Sequence, residues 1–272
     1  MFKLKKSIQT DKTVTLPQYT PMKHLVPAVC HVTSNPIQWY PPLMLSADSL
    51  SESFLDGRHV TSAMQLLQVL ERDDYTSYLI DYYQHGLQNF GANWRYADIV
   101  TILLGLSETL KPENYLEIGV RRGRSVSAVA SKAPLCNLYM FDMWVENYAG
   151  MENPGADLVR NELKKCGHSA TQEFHNGNSH KTLKDFFSKH PDKAFDIITV
   201  DGDHSFDGAV EDLCDVLPHL KIGGAIVFDD ICHPKHMYLQ EVWQKIVVDD
   251  SRFSAWTCKD IGYGVGFALR KW

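Results

Sequence analysis

Tyr115-Leu116-Glu117-Ile118-Gly119-Val120-Arg121-Arg122-Gly123-Arg124-Ser125 passes from a short apolar run, across two glycines, into a helical pattern. A strand-length run that turns on glycine into a helix reads as the first strand-turn-helix unit of an open parallel sheet, whose ligands bind beyond the carboxyl ends of the strands. Gly119 and Gly123 let the backbone turn tightly and approach a ligand closely, and Ser125 is placed to cap the following helix. Such a turn by itself is equally compatible with a purely structural role.

Downstream the same alternation continues. Apolar runs at Leu138 to Phe141, Glu173 to His175, Phe195 to Val200 and Ala225 to Phe228 are each followed by a helical stretch: Asp157 to Cys166, Lys181 to Lys189, Asp207 to Leu217 and Tyr238 to Val248. The helix after the first run is expected over Gly123 to Lys132. The tail departs from the rhythm: Phe253 to Cys258, then Gly262-Tyr263-Gly264, then Val265 to Leu269 read as an antiparallel pair closing the sheet. The fold class is therefore α/β and Rossmann-like, a mostly parallel sheet with helices on both faces.

Upstream, residues 1–57 are rich in proline and lack periodicity, which predicts an extended arm anchored by Trp39 and Tyr40. Residues 58–111 turn helical, with Val60, Met64, Leu67 and Leu70 on one face, a second helix near Tyr75 to Leu87, and a third from Trp94 to Leu110 that stops before Lys111-Pro112. This segment is expected to act as a lid or an oligomerisation element, and residues 112–272 to form the ligand-binding domain.

The chain has 272 residues, 27 basic and 33 acidic, for a net charge of −6. That balance argues against nucleic acid or an acidic membrane surface as the partner and favours a small molecule. Six cysteines without a paired spacing, no signal-like apolar core and no membrane-length run lead to the expectation of a cytoplasmic protein. The long arm favours a homo-oligomer.

Chemistry concentrates in two places. Val200-Asp201-Gly202-Asp203-His204 follows one strand and Phe228-Asp229-Asp230 the next, a concentration of carboxylates that is costly without a cation among them. Asp201, Asp229 and Asp230 offer the hard oxygen ligands that Mg²⁺ prefers, and His204 is an imidazole able to accept a proton near neutrality. The second place is the glycine turn with Asp142, which ends the second strand where a carboxylate can accept both hydroxyls of a ribose. Glu117, a further acid under the turn, is awkward beside a pyrophosphate and compatible with a cationic ligand, so the pair favours S-adenosylmethionine over a dinucleotide.

In order along the chain, Glu117-Ile118-Gly119-x-x-x-Gly123-x-Ser125, Phe141-Asp142, Gly177-Asn178-Ser179, Val200-Asp201-Gly202-Asp203-His204 and Lys221-Ile222-Gly223-Gly224 before Phe228-Asp229-Asp230 resemble class I S-adenosylmethionine-dependent methyltransferases. More narrowly they resemble the metal-dependent macrocin- and mycinamicin-type sugar O-methyltransferases. The resemblance covers about residues 94–270 and implies a seven-stranded sheet with an antiparallel last strand. It implies Glu117, Gly119 and Gly123 around the methionine part of the cofactor, Ser125 among the cofactor-binding residues, Asp142 at the ribose, Asn178 near the adenine, and Asp201 beside both cofactor and metal. It also implies Mg²⁺ on Asp201, Asp229 and Asp230, with His204 as general base and Asp201 as its catalytic partner. Asp203 is expected to orient His204 or cap the next helix. A metal-independent methyltransferase, an NAD-dependent oxidoreductase and a non-catalytic protein of the same fold are the rival readings; the Gly-x-x-x-Gly spacing disfavours the NAD enzyme. Arg121, Arg122 and Arg124 fit either an anionic acceptor or a solvated helix start.

Overall fold

The computed structural model describes Met22, Leu25 and residues 42–272. Trp39 and Tyr40 lie outside the described residues. Seven strands form one sheet in the order β3-β2-β1-β4-β5-β7-β6. They are β1 (Asn114–Ile118), β2 (Asn137–Asp142), β3 (Gln172–Asn176), β4 (Phe195–Val200), β5 (Leu220–Asp229), β6 (Phe253–Cys258) and β7 (Val265–Arg270). β1 to β5 are parallel, and β7 runs antiparallel to both β5 and β6. This is the doubly wound arrangement expected, antiparallel last strand included.

The period-two alternation of side chains divides each strand between two cores. Tyr115, Leu138, Met140, Ile197, Ala225, Val227 and Phe267 face one core, while Leu116, Phe141, Ile198, Val200, Ile226 and Phe228 face the other. Helices α1 (Ala47–Phe54), α2 (Gly57–Val69), α3 (Asp74–Phe90), α4 (Ile99–Leu110), α5 (Arg124–Lys132) and α6 (Ala156–Lys165) contribute to the first. Helices α7 (Ser179–Lys189), α8 (Phe206–Val216) and α9 (Tyr238–Trp243, continued by a π turn over Gln244–Val248) build the second.

Three boundaries differ from expectation, each for a local reason. Within the stretch read as extended, residues 47–54 are helical, because Ser46 caps the Ser49 N–H and Leu50 and Phe54 find an apolar seat. The third helix starts at Ile99, not Trp94: Asp98 and Thr101 form a reciprocal capping box that fixes the start. It ends as expected before Pro112, with Lys111 in the left-handed region. β5 begins at Leu220, upstream of the apolar run at Ala225. Its first residues include Gly223 at φ +79°, and the pairing with β4 shifts register between Phe195 and Ile197.

The expected division at residue 111 falls inside one packed layer. Ile102, Leu103, Leu104, Leu106 and Leu110 of α4 are fully buried in the same core as the sheet, so α4 belongs to the sheet domain. Of the segment 58–111, α3 and residues 96–100 reach the open end of the sheet.

Candidate active site

The carboxyl ends of β1, β2, β4 and β5 open into a cavity of about 1240 Å³. Its floor is the glycine turn. Gly119 has φ +86°, and a Cβ there would stand 1.8 Å from the Asp201 carbonyl oxygen, so only glycine lets the turns after β1 and β4 lie against each other. Gly119 donates its N–H to the Phe141 carbonyl and Asp201 donates to Ile118 O, at 2.9 Å each. Gly123 (φ +76°) is the N-cap of α5, and its pro-Cβ side is filled by Val159 at 3.0 Å. Ser125 therefore does not cap the helix; its hydroxyl instead donates to Glu117 Oε1.

Glu117 is fully buried, and its other oxygen accepts from the Tyr115 hydroxyl at 2.7 Å. It lies beneath the cavity, with Ser125 on the wall above it. Burial pushes its carboxyl up to about 8, against the two hydrogen bonds and helped by the charges of Asp201 and Asp142. Gly123 likewise shapes the turn from behind, while Gly119, Ser125, Asp142, Asn178 and Asp201 line the cavity itself.

Asp142 accepts the Arg121 N–H at 2.7 Å on one oxygen and the Trp144 N–H at 2.6 Å on the other. Both donors are backbone, so they aim the carboxylate while each oxygen keeps a second acceptor position toward the cavity. Asn178 is the N-cap of α7, accepting the His180 N–H at 2.9 Å.

At the other end of the cavity the two acidic turns meet. His204 Nε2 lies 3.3 Å from Asp201 Oδ1 and 3.5 Å from Asp230 Oδ2. Donor atoms of Asp201, His204 and Asp230 all fall within 4.8 Å of one another, the spacing of a possible metal site. Asp229 is outside that set, though it also lines the cavity. Burial first, and then the charges of Asp201 and Asp230, hold its carboxyl well above the usual range. Asp230 sits at φ +56° and is raised to about 6 by burial and by Asp201, with His204 and Arg121 opposing. Burial lowers the His204 pKa, but the Asp201 hydrogen bond and the Asp201, Asp230 and Asp203 charges outweigh it and raise the pKa. Like charges crowded at strand ends, relieved in part by one imidazole and by Arg121, are a donor set suited to a hard divalent ion.

Asp203 neither orients His204 nor caps α8. It accepts the Ser205 N–H at 2.8 Å and pairs with His180 Nε2 at 3.2 Å, while Ser205 is the cap. Arg122 and Arg124 are committed to acidic neighbours: Arg122 to Glu71 at 3.1 Å and Asp73 at 3.2 Å, Arg124 to Asp73 at 3.5 Å. Arg121 reaches over the Tyr148 ring toward Met151 Sδ.

Several site residues escaped sequence reasoning. The Tyr148 hydroxyl lies 3.0 Å from His204 Nδ1, and Tyr238 donates to the His204 carbonyl oxygen at 2.6 Å. Neither is marked by a motif. Tyr75, Tyr78 and Tyr82 line the wall opposite the sheet, and their helical spacing was a readable signal. The Tyr75 hydroxyl is pushed up to about 12, mainly by burial.

The strand order, the antiparallel β7 and a ligand cavity over the β1 turn define the Rossmann-like methyltransferase fold. Residues 116–231 match the family model described as the methyltransferase domain. Among solved structures, the SAH-bound methyltransferase of Podospora anserina is 16% identical, with 78% of this chain and 88% of that one covered at a TM-score of 0.52. The SAH-bound O-methyltransferase of Bacillus cereus is also 16% identical, covering 81% of this chain and 100% of that one at 0.51. The O-methyltransferase TomG of Streptomyces achromogenes, solved with SAM and involved in tomaymycin synthesis, is 18% identical over 75% and 92% at 0.50. At such identities the likeness is one of fold. No curated protein matches the chain in sequence. No described helix is long and apolar enough to cross a membrane.

Proposed function

We propose that this methyltransferase domain uses S-adenosylmethionine and Mg²⁺ to methylate a hydroxyl of a small molecule, with a sugar or a glycosylated natural product as the acceptor class. The observation that carries this reading is the pairing of two features in one cavity: the glycine turn with Asp142 at one end, and Asp201, His204 and Asp230 at the other. The first holds a nucleoside with a cationic arm. The second holds what accepts its methyl group.

Gly119 lets the turns after β1 and β4 close together at the floor of the cofactor site, and the Asp142 carboxylate, fixed by two backbone donors, accepts from the ribose hydroxyls. Asp201, Asp229 and Asp230 would hold Mg²⁺, which when bound would lower the pKa of an acceptor hydroxyl. His204, whose Nε2 faces Asp201 and Asp230, is the group placed to take the proton from the acceptor hydroxyl. The Tyr148 and Tyr238 hydroxyls hold the His204 ring and backbone in place for that transfer. The oxygen then displaces the sulfonium: a carbon–oxygen bond forms, the carbon–sulfur bond breaks, and the proton stays on His204. Positioning two reactants in one walled cavity supplies much of the acceleration.

The deciding measurement is turnover in EDTA followed by Mg²⁺ titration, beside the Asp201→Ala variant. Chelation should stop turnover and Mg²⁺ should restore it, and Asp201→Ala should lose at least about a hundredfold in kcat with S-adenosylhomocysteine (SAH) affinity nearly intact. Undiminished activity in EDTA would point to the metal-independent alternative.

A further inference from the structure

The cavity wall contributed by α3 is aromatic. Tyr75, Tyr78 and Tyr82 recur three and four residues apart, so they share one helix face, and that face is turned to the cavity. Their rings form a ladder: Tyr75 and Tyr78 stack at 6.3 Å with 23° between planes, Tyr78 and Tyr82 at 6.2 Å and 27°. Behind it Tyr82 packs on Tyr96 at 5.6 Å and on Trp94 at 5.8 Å, and Trp94 stacks on Tyr96 at 4.8 Å. The shelf is thus rigidly backed, yet Tyr78 is 60% exposed. The inner end is anchored, with the Arg124 guanidinium 4.7 Å over the Tyr75 ring.

Across the cavity, Tyr263 of the turn between β6 and β7 is 52% exposed and rests on His233 at 4.5 Å. Exposed large apolar side chains are expected singly on a surface, and a group of them rimming one cavity marks a ligand contact. Arg124, the cation in contact with the shelf, is already paired with Asp73, so its charge is answered within the protein.

We propose that the acceptor carries a flat, apolar ring system that lies on the Tyr75, Tyr78 and Tyr82 shelf, facing Tyr263, while its hydroxyl reaches the Asp201 and His204 end. This deepens the proposed function and rests on it for the reactive hydroxyl; the shelf itself is a binding site independent of chemistry. For a glycosylated acceptor, the flat body is the aglycone.

The test is binding without metal or turnover. 2-Naphthol, a flat ring bearing one hydroxyl, and methyl α-D-glucopyranoside, a sugar without a flat body, are titrated into the full chain in the presence and absence of SAH. 2-Naphthol should bind and the glycoside should not. Tyr78→Ala should weaken 2-naphthol about tenfold, the scale of one lost aromatic stack, while Tyr78→Phe retains it. Trp272→Ala, which removes an exposed ring outside the cavity, should leave binding unchanged. Equal binding by wild type and Tyr78→Ala, or preference for the glycoside, overturns the proposal. Failure of SAH to bind, with 2-naphthol still sensitive to Tyr78, would instead count against the cofactor reading and leave the shelf standing.

Discussion

Strand β4 has a carboxylate near each end, and the two are treated in opposite ways. At the start, Asp196 is buried and fully answered: it accepts the Glu113 and Asn114 N–H groups at 2.9 and 2.8 Å and pairs with Lys221 at 2.6 Å. Just past the end, Asp201 meets His204 and lies close enough to Asp229 and Asp230 to raise both. One end of the sheet spends its charge on holding strands together. The other keeps charge in excess, which serves folding poorly and catalysis well.

The contrast is broken or kept most sharply by alanine at the two positions. Asp196→Ala strands the Lys221 ammonium and two backbone N–H groups, so it should cost about 3 kcal/mol or more in denaturant unfolding. Asp201→Ala removes one of several mutually repelling carboxylates and should leave stability unchanged or slightly higher, though activity is lost. If Asp201→Ala proved as destabilising as Asp196→Ala, the acidic turns would be structural and the functional assignment would fall.

A second prediction tests the ground between the two ends, where Glu117 is buried but only partly answered. Its carboxyl titrates near 8 in the folded chain against 4.5 as the ordinary value. A raised folded pKa means the native state holds the proton more tightly, so this contribution is fully present below pH 4.5 and is lost as pH rises toward 8. Glu117→Gln should remove that fall, changing the slope of unfolding free energy by up to about 1.4 kcal/mol per pH unit across the window. Matching slopes for wild type and variant would mean that Tyr115 and Ser125 compensate the charge in full.

How much of this was legible in the sequence follows the same division. Positions set by the backbone next to them are readable: Gly119 in the turn it permits, Asp142 at the end of a strand, and β7 after its turn residues. Residues whose role depends on what another segment brings are not. Ser125 looked like a cap because serine caps helices, but Gly123 opens the helix and the hydroxyl turns to Glu117, eight residues back. Asp203 looked like a partner for His204, yet His180 of α7 claims it. Tyr148 reaches His204 across 56 positions in sequence, a contact no local pattern encodes. Of the helices before residue 111, α2, α3 and α4 are readable as helices but not as core, because the face they bury is defined by the sheet.

Asn178 gives the smallest effect and the finest test of that division, since it was read as a ligand residue and is found as a helix cap lining the same cavity. Its side-chain oxygen accepts the His180 N–H, one of the donors that the first turn of α7 leaves without a helical partner. Asn178→Ala should therefore cost about 1 kcal/mol, or about 2–4 °C in Tm for a domain of this size. Asn178→Asp keeps the acceptor, adds a negative charge at the positive end of the helix, and should restore the loss. SAH affinity, measured by calorimetry on the same variants, should stay within about threefold, because a cap acts through the helix and not on the adenine. A tenfold loss of SAH affinity in Asn178→Ala with Tm unchanged would move this residue from the scaffold to the ligand, and with it part of the cofactor end from structure to recognition.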